Sequence, residues 1–252
     1  MLLVGSDART GLTPAQRKEL GTGFTEGART DSIMVLHTGS GDPTLLSIPR
    51  DSYVEVPGHG KNKINAAFAI GGAPLLTETV ERATGLRIDG YLEIGFGGFA
   101  SLVDSVGGVR MCLPSAMTDE KAHIDLPKGC QVLDGKNALG YVRSRHSDPR
   151  GDLGRAERQR QFLGAVMKKA ANPATVLVPS RYLAFADAAS AGLIVGADTS
   201  LSDAIAIMQA LKAAGIPVAA TAVWVREVDT AAPRLAPLRQ YIAVEVALVK
   251  GN

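Results

Sequence analysis

Long apolar runs are missing from this sequence. No stretch of about 18 or more apolar residues occurs in its 252 positions, so nothing in it reads as a membrane-spanning helix. A secretory signal is absent too. Met1 is followed at once by the strand-like Leu2-Leu3-Val4-Gly5, where a signal peptide would place a charged and then an apolar region before a cleavage site. The expectation is that a secreted parent protein carries its targeting segment ahead of residue 1. Aromatics are few, at 5%, and are scarcely interleaved with the basic residues, while the formal net charge is only +2. Both features argue against a nucleic-acid surface. No P-loop, Gly-rich dinucleotide fingerprint, G-x-S-x-G or H-E-x-x-H occurs, which leaves nucleotide, serine-hydrolase and zinc-protease readings without support. Cysteine is limited to Cys112 and Cys130, which form no C-x-x-C pair and have no histidine at ligand spacing. Two readings stand level on the residues alone: two buried thiols, or one disulfide that closes a short loop, contributes roughly 3 kcal/mol and requires an oxidising compartment.

What is present is core-forming. Hydrophobic residues make up 46% and charged residues 21%, which suits one large domain or two small ones and excludes wholesale disorder. Residues 2–6 read as a buried strand. Residues 8–30 read as a polar loop with a helical turn after Pro14. Strands follow at 32–37 and 44–48 around the hairpin signal Gly39-Ser40-Gly41-Asp42. Asp51 to Val56 alternates and stops at Pro57-Gly58, as a short edge strand does. Helices are predicted over 65–70 and 73–84, the second stopped by Gly85, then a strand over 88–94. A helix over 96–106 is closed by Gly107-Gly108, and a strand covers 109–113. Short and long helices cover 134–141 and 152–171, the latter ended by Asn172-Pro173. The segment between the cysteines, with Pro114, Pro127 and Gly129, reads as a poorly packed loop. Beyond it, helices are expected over 181–191 and 202–214, a strand over 218–225, and either element over 238–249. Strands mixed with amphipathic helices predict an α/β fold: a three-layer α-β-α sandwich with a central mixed sheet and helices on both faces. Hairpin-like connections exclude a purely parallel sheet.

Three clusters carry chemistry. Asp7-Ala8-Arg9 lies just past the first strand and Arg29-Thr30-Asp31 at the entrance to the next. Strand ends of α/β sheets are where ligands bind. If the two strands are neighbours, Asp7 and Asp31 meet, and two close carboxylates call for a cation between them. Mg²⁺ suits such a place: one or two carboxylates, waters and substrate phosphate oxygens. The bland alternative is a turn residue and a strand cap paired with Arg9 and Arg29. The second cluster is Ile48-Pro49-Arg50-Asp51 with Lys61, Lys63 and Asn65, otherwise a solvated basic loop. The third spans Arg143, Arg145, Asp152, Arg155, Arg158 and Gln159. Arg143 and Arg145, two apart, point the same way if the segment is extended. Asp152, Arg155 and Gln159 form one helical stripe that continues into Phe162, Val166 and Ala170. A polar start to a core-facing stripe is costly unless those groups are paired or bind something. Arginine at the densest positions matches phosphate oxygens bidentately and keeps its charge. Many arginines with a few carboxylates therefore suggest a pyrophosphate clamp with a metal.

In order along the chain, these motifs resemble the LytR-CpsA-Psr family of bacterial cell-wall ligases. The matching residues are Leu3 to Arg9, Arg29 to Ser32, Leu46 to Asp51, Lys63 to Ala67, Phe99 to Gly108, Leu133 to Gly135, Ala138 to Arg145, and then Asp152, Arg155, Arg158 and Gln159. The resemblance runs from Leu3 to about Leu163. Residues 173–252 join it only by their place in a single catalytic domain over 1–252. It implies an enzyme on the extracytoplasmic face of the cell membrane, held there by an N-terminal transmembrane anchor. The enzyme moves a phosphate-linked glycopolymer from a polyprenyl-pyrophosphate carrier to peptidoglycan.

By resemblance, Asp7 and Asp31 hold Mg²⁺, with Mn²⁺ as the alternative ion. Arg29, Arg50, Arg143 and Arg145 bind the pyrophosphate and, with Asp152, carry the reaction. Arg9, Asp51, Lys63, Asn65, Arg155, Arg158 and Gln159 support substrate binding. The prenyl chain is expected in an apolar tunnel lined by Phe68, Leu76, Val80, Phe96, Phe99, Leu102 and Val103. An outward-facing domain also favours the Cys112–Cys130 disulfide. The Ala- and Arg-rich composition points to an actinobacterial source and to arabinogalactan as the polymer. A carboxylate, Asp152 or Asp51, would receive the acceptor's proton. The rival readings are a polyprenyl-pyrophosphate hydrolase with water as acceptor, and a non-catalytic regulator that binds the lipid carrier.

Overall fold

A computed structural model describes residues 1–9, 12–22, 28–37, 44–144, 152–170, 172 and 178–196, without the side chains of Asp152, Leu153 and Ala156. The described chain falls into two compact units. One holds the described residues of 1–7, 28–93 and 194–196; the other holds those of 8–22 and 94–193.

The first unit is built on a mixed sheet of five strands, in the spatial order 193–195, 91–94, 2–6, 30–37 and 44–48. Its strands are β1 (Leu2–Ser6), β2 (Thr30–His37), β3 (Thr44–Ile48), β6 (Tyr91–Ile94) and β11 (Leu193–Val195). β1 and β3 both run antiparallel to β2, with Val4 opposite Ile33 and Val35 opposite Leu46. Period-2 alternation puts Leu2, Val4, Ile33, Val35, Leu46 and Ile48 on one face, where they form a single core with Ile64, Ala67, Leu76 and Val80 of α2 (Ile64–Thr84). Leu3, Met34, Leu36 and Leu45 on the other face are buried as well. A sheet buried on both faces is the mark of an α/β fold with helical layers.

The helices expected over 65–70 and 73–84 are the two arms of α2. They meet at Gly71 (φ −133°) and Gly72 (φ 64°, ψ −155°), with Pro74 inside the second arm. Glycine takes the left-handed turn without a Cβ penalty, and proline fits the first turn of the new arm. The strand expected over 51–56 begins at Tyr53. As β4 (Tyr53–Val56) it pairs with β5 (Gly60–Lys63), a hairpin partner whose polar Gly-Lys-Asn-Lys sequence gave no strand signal. The strand expected from residue 88 begins at Tyr91, because the Ile88 amide is taken by the Glu81 carboxylate at 2.7 Å.

The second unit packs α3 (Phe96–Ser105), α4 (Gly135–Arg143) and α5 (Asp152–Ala170) with β7 (Val109–Leu113) and β10 (Gly129–Leu133). Its core joins Val103, Val109, Met111, Leu133, Ala138, Tyr141, Phe162 and Val166. Phe162 is the hub, with Phe99 and Tyr141 at ring-centroid distances of 5.4 and 6.3 Å. α1 (Pro14–Glu19) follows Pro14 as expected and is opened by a reciprocal Thr13/Gln16 capping box. α6 (Pro179–Gly192) covers the helix expected over 181–191.

Cys112 and Cys130 are opposite each other on β7 and β10 and are joined as a disulfide. The segment between them is not the poorly packed loop the prolines suggested. It forms the hairpin β8 (Met117–Asp119) and β9 (Ile124–Leu126), and it buries Met117, Asp119, Ala122, Ile124 and Leu126 in the same core. Alternation over only three residues per strand was too short a signal to read. The expected hairpin turn at 39–42 and the elements expected beyond residue 200 lie outside the described residues.

Candidate active site

At the ends of β1, β2 and β3 the first unit gathers alternating charges. Past β1, Asp7 donates its amide to the Arg29 carbonyl (2.8 Å) and accepts the Arg29 amide on Oδ1 (2.6 Å), which ties the two strand ends together. The β1–β2 register slips there. Gly5 faces Ser32 and Ser6 faces Thr30, so Asp31 is the extra residue of a β-bulge. A bulge re-aims the side chain it carries, and bulges gather beside active sites. The Asp31 carboxylate pairs with the Arg50 guanidinium, both about a quarter to a third exposed.

Past β3, Arg50 Nε reaches Asp51 Oδ2 at 3.3 Å, and Lys63 Nζ reaches Asp51 Oδ1 at 2.6 Å. The Asn65 amide donates to the Arg50 carbonyl at 3.2 Å, which anchors the start of α2 to this turn. The result is a continuous row, Asp31–Arg50–Asp51–Lys63. Burial pushes the Asp51 carboxyl up, but the Lys63 hydrogen bond and the Arg50 and Lys63 charges outweigh it and hold Asp51 below the usual carboxylate range.

The chemistry of this set fits Mg²⁺ in a limited way. Among the described residues no group of three or more metal-ligating side chains converges, so the protein offers no complete cage. Two carboxylates at adjacent strand ends are nonetheless what Mg²⁺ takes from protein when substrate phosphate and water supply the remaining oxygens.

The second unit carries a different arrangement. Arg9 donates Nε and Nη2 to the Thr22 carbonyl (3.0 and 2.8 Å), and its guanidinium carbon lies 5.8 Å from the Phe96 ring centroid. The Arg143 guanidinium carbon lies over the same ring at 4.6 Å. Phe96, expected in the tunnel wall, is thus a buried platform under two arginines. Its amide donates to the Ala8 carbonyl at 3.3 Å, which brings the segment bearing Arg9 to the ring.

Arg143 ends α4 in helical conformation, so the condition under which Arg143 and Arg145 would point the same way, an extended segment, is not met at its first member. The helix runs on because Ala138 to Tyr141 pack inward against the core. Arg145 lies outside the described residues, as does the Asp152 side chain.

The stripe along α5 is as expected: Arg155 is buried at its start, and Phe162, Val166 and Ala170 farther along. Arg158 Nη2 donates to the Ser144 carbonyl at 2.6 Å and Gln159 Nε2 to the Val142 carbonyl at 3.2 Å. These two residues therefore hold the C-terminus of the helix that bears Arg143, where a cation also suits the helix dipole. Beside Arg158, the Tyr141 hydroxyl is pushed up by burial, opposed by the Arg158 charge and helped by Glu157.

The apolar residues expected to line a tunnel divide between the units. In the first, Leu76 and Val80 are fully buried and Phe68 is half-buried against that core; in the second, Phe96 and Val103 are buried and Phe99 and Leu102 half-buried.

Sequence reasoning passed over Asp119 and Arg160 and gave Ser144 no role, though all three are buried. Asp119 had a signal: it sits two residues from Met117 on the inward face of β8. The buried Tyr91–Glu93 pair (2.7 Å) was legible in the same way, as an acid on the inward face of β6. Burial and the Glu93 charge push the Tyr91 hydroxyl far up, so it stays a hydrogen-bond donor.

The LytR_cpsA_psr family model matches residues 1–223. The chain belongs to the LytR_cpsA_psr family. Over 182 residues, 71% of this chain and 44% of the relative, it is 58% identical to the probable cell wall biosynthesis protein LcpB of Corynebacterium glutamicum. Over 149 residues, 58% of this chain and 48% of the relative, it is 42% identical to the polyisoprenyl-teichoic acid–peptidoglycan teichoic acid transferase TagU of Bacillus cereus. The matches thus span less than half the length of these curated relatives. Among solved structures, "TagT bound to LIIa-WTA" superposes with a TM-score of 0.65 at 25% identity, covering 99% of this chain and 88% of that one. The α/β fold with a mixed central sheet and helices is the fold of this family. Among the described residues no helix is long and apolar enough to cross a membrane.

Proposed function

We propose that this chain is the catalytic part of a phosphotransferase that moves a phosphate-linked glycopolymer from a polyprenyl-pyrophosphate carrier to a peptidoglycan hydroxyl, at the extracytoplasmic face of the cell membrane. The observation that carries the reading is the Asp31–Arg50–Asp51–Lys63 row at the strand ends, with Asp7 beside it. Family relatives named as cell-wall biosynthesis and teichoic-acid transfer proteins support the donor and acceptor classes. The proposal extends to arabinogalactan as the polymer and to an anchor that lies outside this sequence.

Phosphoryl transfer asks little covalent chemistry of a protein; it asks for alignment and neutralised charge. In this proposal Arg29, Arg50, Arg143 and Arg145 stabilise the negative charge that moves onto the leaving polyprenyl phosphate. Mg²⁺ held by Asp7 and Asp31 would, when bound, neutralise pyrophosphate oxygens. Asp51 is a poor receiver for the acceptor's proton, because Lys63 and Arg50 hold it ionised at low basicity; Asp152 takes that role here. The prenyl chain is held by apolar surface, to which the half-buried Phe99 and Leu102 of α3 contribute.

The test is incubation with a synthetic polyprenyl-pyrophosphate sugar, Mg²⁺ and a peptidoglycan fragment, with products read by mass. The expected product is a fragment heavier by the sugar phosphate, with polyprenyl monophosphate released. Free sugar phosphate alone would make the protein a hydrolase, and binding without turnover would make it a lipid-carrier binder. Affinity is expected to fall steeply as the prenyl chain is shortened, at about 0.8 kcal/mol per buried CH₂; a flat dependence removes the lipid channel.

A further inference from the structure

The β8–β9 hairpin contains none of the motifs that carry the family resemblance, yet it touches the mounts of both arginines that share the Phe96 ring. One contact runs to Arg143. Asp119, 5% exposed, accepts the Lys121 and Ala122 amides on Oδ1 (3.0 and 3.2 Å) and the Ser144 hydroxyl on Oδ2 (2.8 Å). Ser144 is fully buried, follows Arg143 directly and caps α4, and its carbonyl holds Arg158. The helix also lies flush on the hairpin. A Cβ at Gly140 would come within 2.1 Å of Ile124 Cγ2 and 2.7 Å of the Ala122 carbonyl oxygen.

The other contact runs to Arg9. His123, in the turn of the hairpin, is the one described non-glycine residue with positive φ (54°). This is the left-handed region, which few non-glycine residues adopt and in which histidine, like asparagine and aspartate, is enriched; it fixes the direction in which the ring leaves the turn. Its ring lies against Gly21 so closely that a Cβ there would meet Cδ2 at 2.3 Å. The next residue, Thr22, supplies the carbonyl that takes both hydrogen bonds of Arg9.

We infer that the β8–β9 hairpin is a positioning element that sets the two guanidinia over Phe96, with Asp119 and Ser144 holding Arg143, and His123 holding Arg9. A buried carboxylate with three donors, two of them backbone amides, is fixed in place, so it transmits the hairpin's position to the end of α4 with little play. The catalytic consequence rests on the function proposed above; the geometric claim does not.

The experiment reads geometry and turnover separately. An Nε–H proton above an aromatic ring is shifted by the ring current, so the Arg9 and Arg143 side-chain resonances report their distance from Phe96. Ser144→Ala is expected to move the Arg143 resonance towards its unstacked value and to leave Arg9. His123→Gly, which relieves the positive φ while removing the ring, is expected to move Arg9 and leave Arg143. Asp119→Ala is expected to move both, and Asp119→Asn, which keeps an acceptor for the turn amides, to restore most of the effect. If Asp119→Ala does not fold, the two milder variants carry the test.

Unmoved arginine resonances in folded Ser144→Ala and His123→Gly overturn the inference. So does a uniform shift of the whole spectrum, which would mark general loosening. In turnover, Ser144→Ala is expected to lower kcat by up to roughly a hundredfold, as small misplacements of catalytic groups do, with KM nearly unchanged. In an Arg143→Ala background the same change should cost nothing further, because it acts through Arg143; an additive loss contradicts the inference. Resonances that move while kcat stays level confirm the positioning and remove Arg9 and Arg143 from the chemistry instead.

Discussion

Arg143 stacks on Phe96, its guanidinium carbon 4.6 Å from the ring centroid. A planar, delocalised cation gains from such a ring, and its fork matches phosphate oxygens in a way an ammonium does not. Lysine replaces that fork with a point charge on a flexible stem. Arg143→Lys is therefore expected to lower kcat on the order of tenfold or more, against a loss of about 10²–10³ typical for removing a charge-stabilising donor outright. Arg181→Lys, an exposed change on α6, is the control and should be silent. Indistinguishable kinetics for the two variants would take Arg143 out of the reaction.

Asp31 occupies the bulge of β2 and pairs with Arg50, so its removal has two readable effects. Asp31→Ala should abolish turnover with the circular-dichroism spectrum intact. Asp31→Asn should leave some turnover and raise the Mg²⁺ concentration needed for half of it. An Asn variant with an unchanged Mg²⁺ requirement would show that Asp31 serves only to hold Arg50. Full activity of the parent protein in excess chelator would remove the metal altogether.

How much of this could be read beforehand varied with the length of each signal. The long α5 stripe from Arg155 to Ala170 and the strands at 2–6 and 44–48 were legible, because period and burial agree over many residues. The motif clusters at Asp7, Asp31 and Arg50 were legible as clusters, and the antiparallel β1–β2–β3 pairing is what joins them. What failed had little sequence to read. β5 is Gly-Lys-Asn-Lys, a strand only because β4 offers it a ladder. The three-residue strands β8 and β9 depend on tertiary packing more than on propensity. The spacing of Arg143 and Arg145 left open whether their segment is extended or helical, and burial of Leu139 and Tyr141 carries α4 through Arg143. Phe96 looked like a lipid contact since nothing in a linear sequence announces that Arg9, far upstream, shares its ring.

The Asp51 carboxyl is held below its ordinary value of 3.8 by Lys63 and Arg50. A group whose folded pKa is depressed contributes stability that is fully present above the unfolded value and is lost as pH falls through the folded one. The contribution of this half-exposed pair is small, since solvent screens it. Lys63→Ala is expected to raise the Asp51 pKa, so that its carboxyl carbon titrates at higher pH by NMR, and to lower stability by the small contribution of the pair above about pH 4, the variant and its parent converging as pH falls through the folded Asp51 value. An unchanged Asp51 titration in Lys63→Ala would show that Arg50 alone sets it.

The Cys112–Cys130 bond gives the cleanest stability test, because both residues are exposed on the outward side of β7 and β10 while Val109, Met111, Leu113 and Leu133 face the core. Replacing the pair by serine opens no cavity and buries no hydroxyl, so the measured change reports the cross-link itself. The bond closes a loop of 18 residues in sequence separation, for which the chain-entropy account gives roughly 3 kcal/mol. The double variant Cys112→Ser/Cys130→Ser is expected to unfold at lower denaturant with a somewhat larger m-value, since its unfolded chain is less restrained. The β8–β9 hairpin keeps its own buried Met117, Ile124 and Leu126, so the variant should still fold at room temperature and retain turnover. Intact mass should rise by two hydrogens on reduction. Two free thiols in protein purified without reductant would refute the bond, and a serine variant as stable as its parent would mean that the hairpin's packing alone already restrains the segment in the unfolded ensemble.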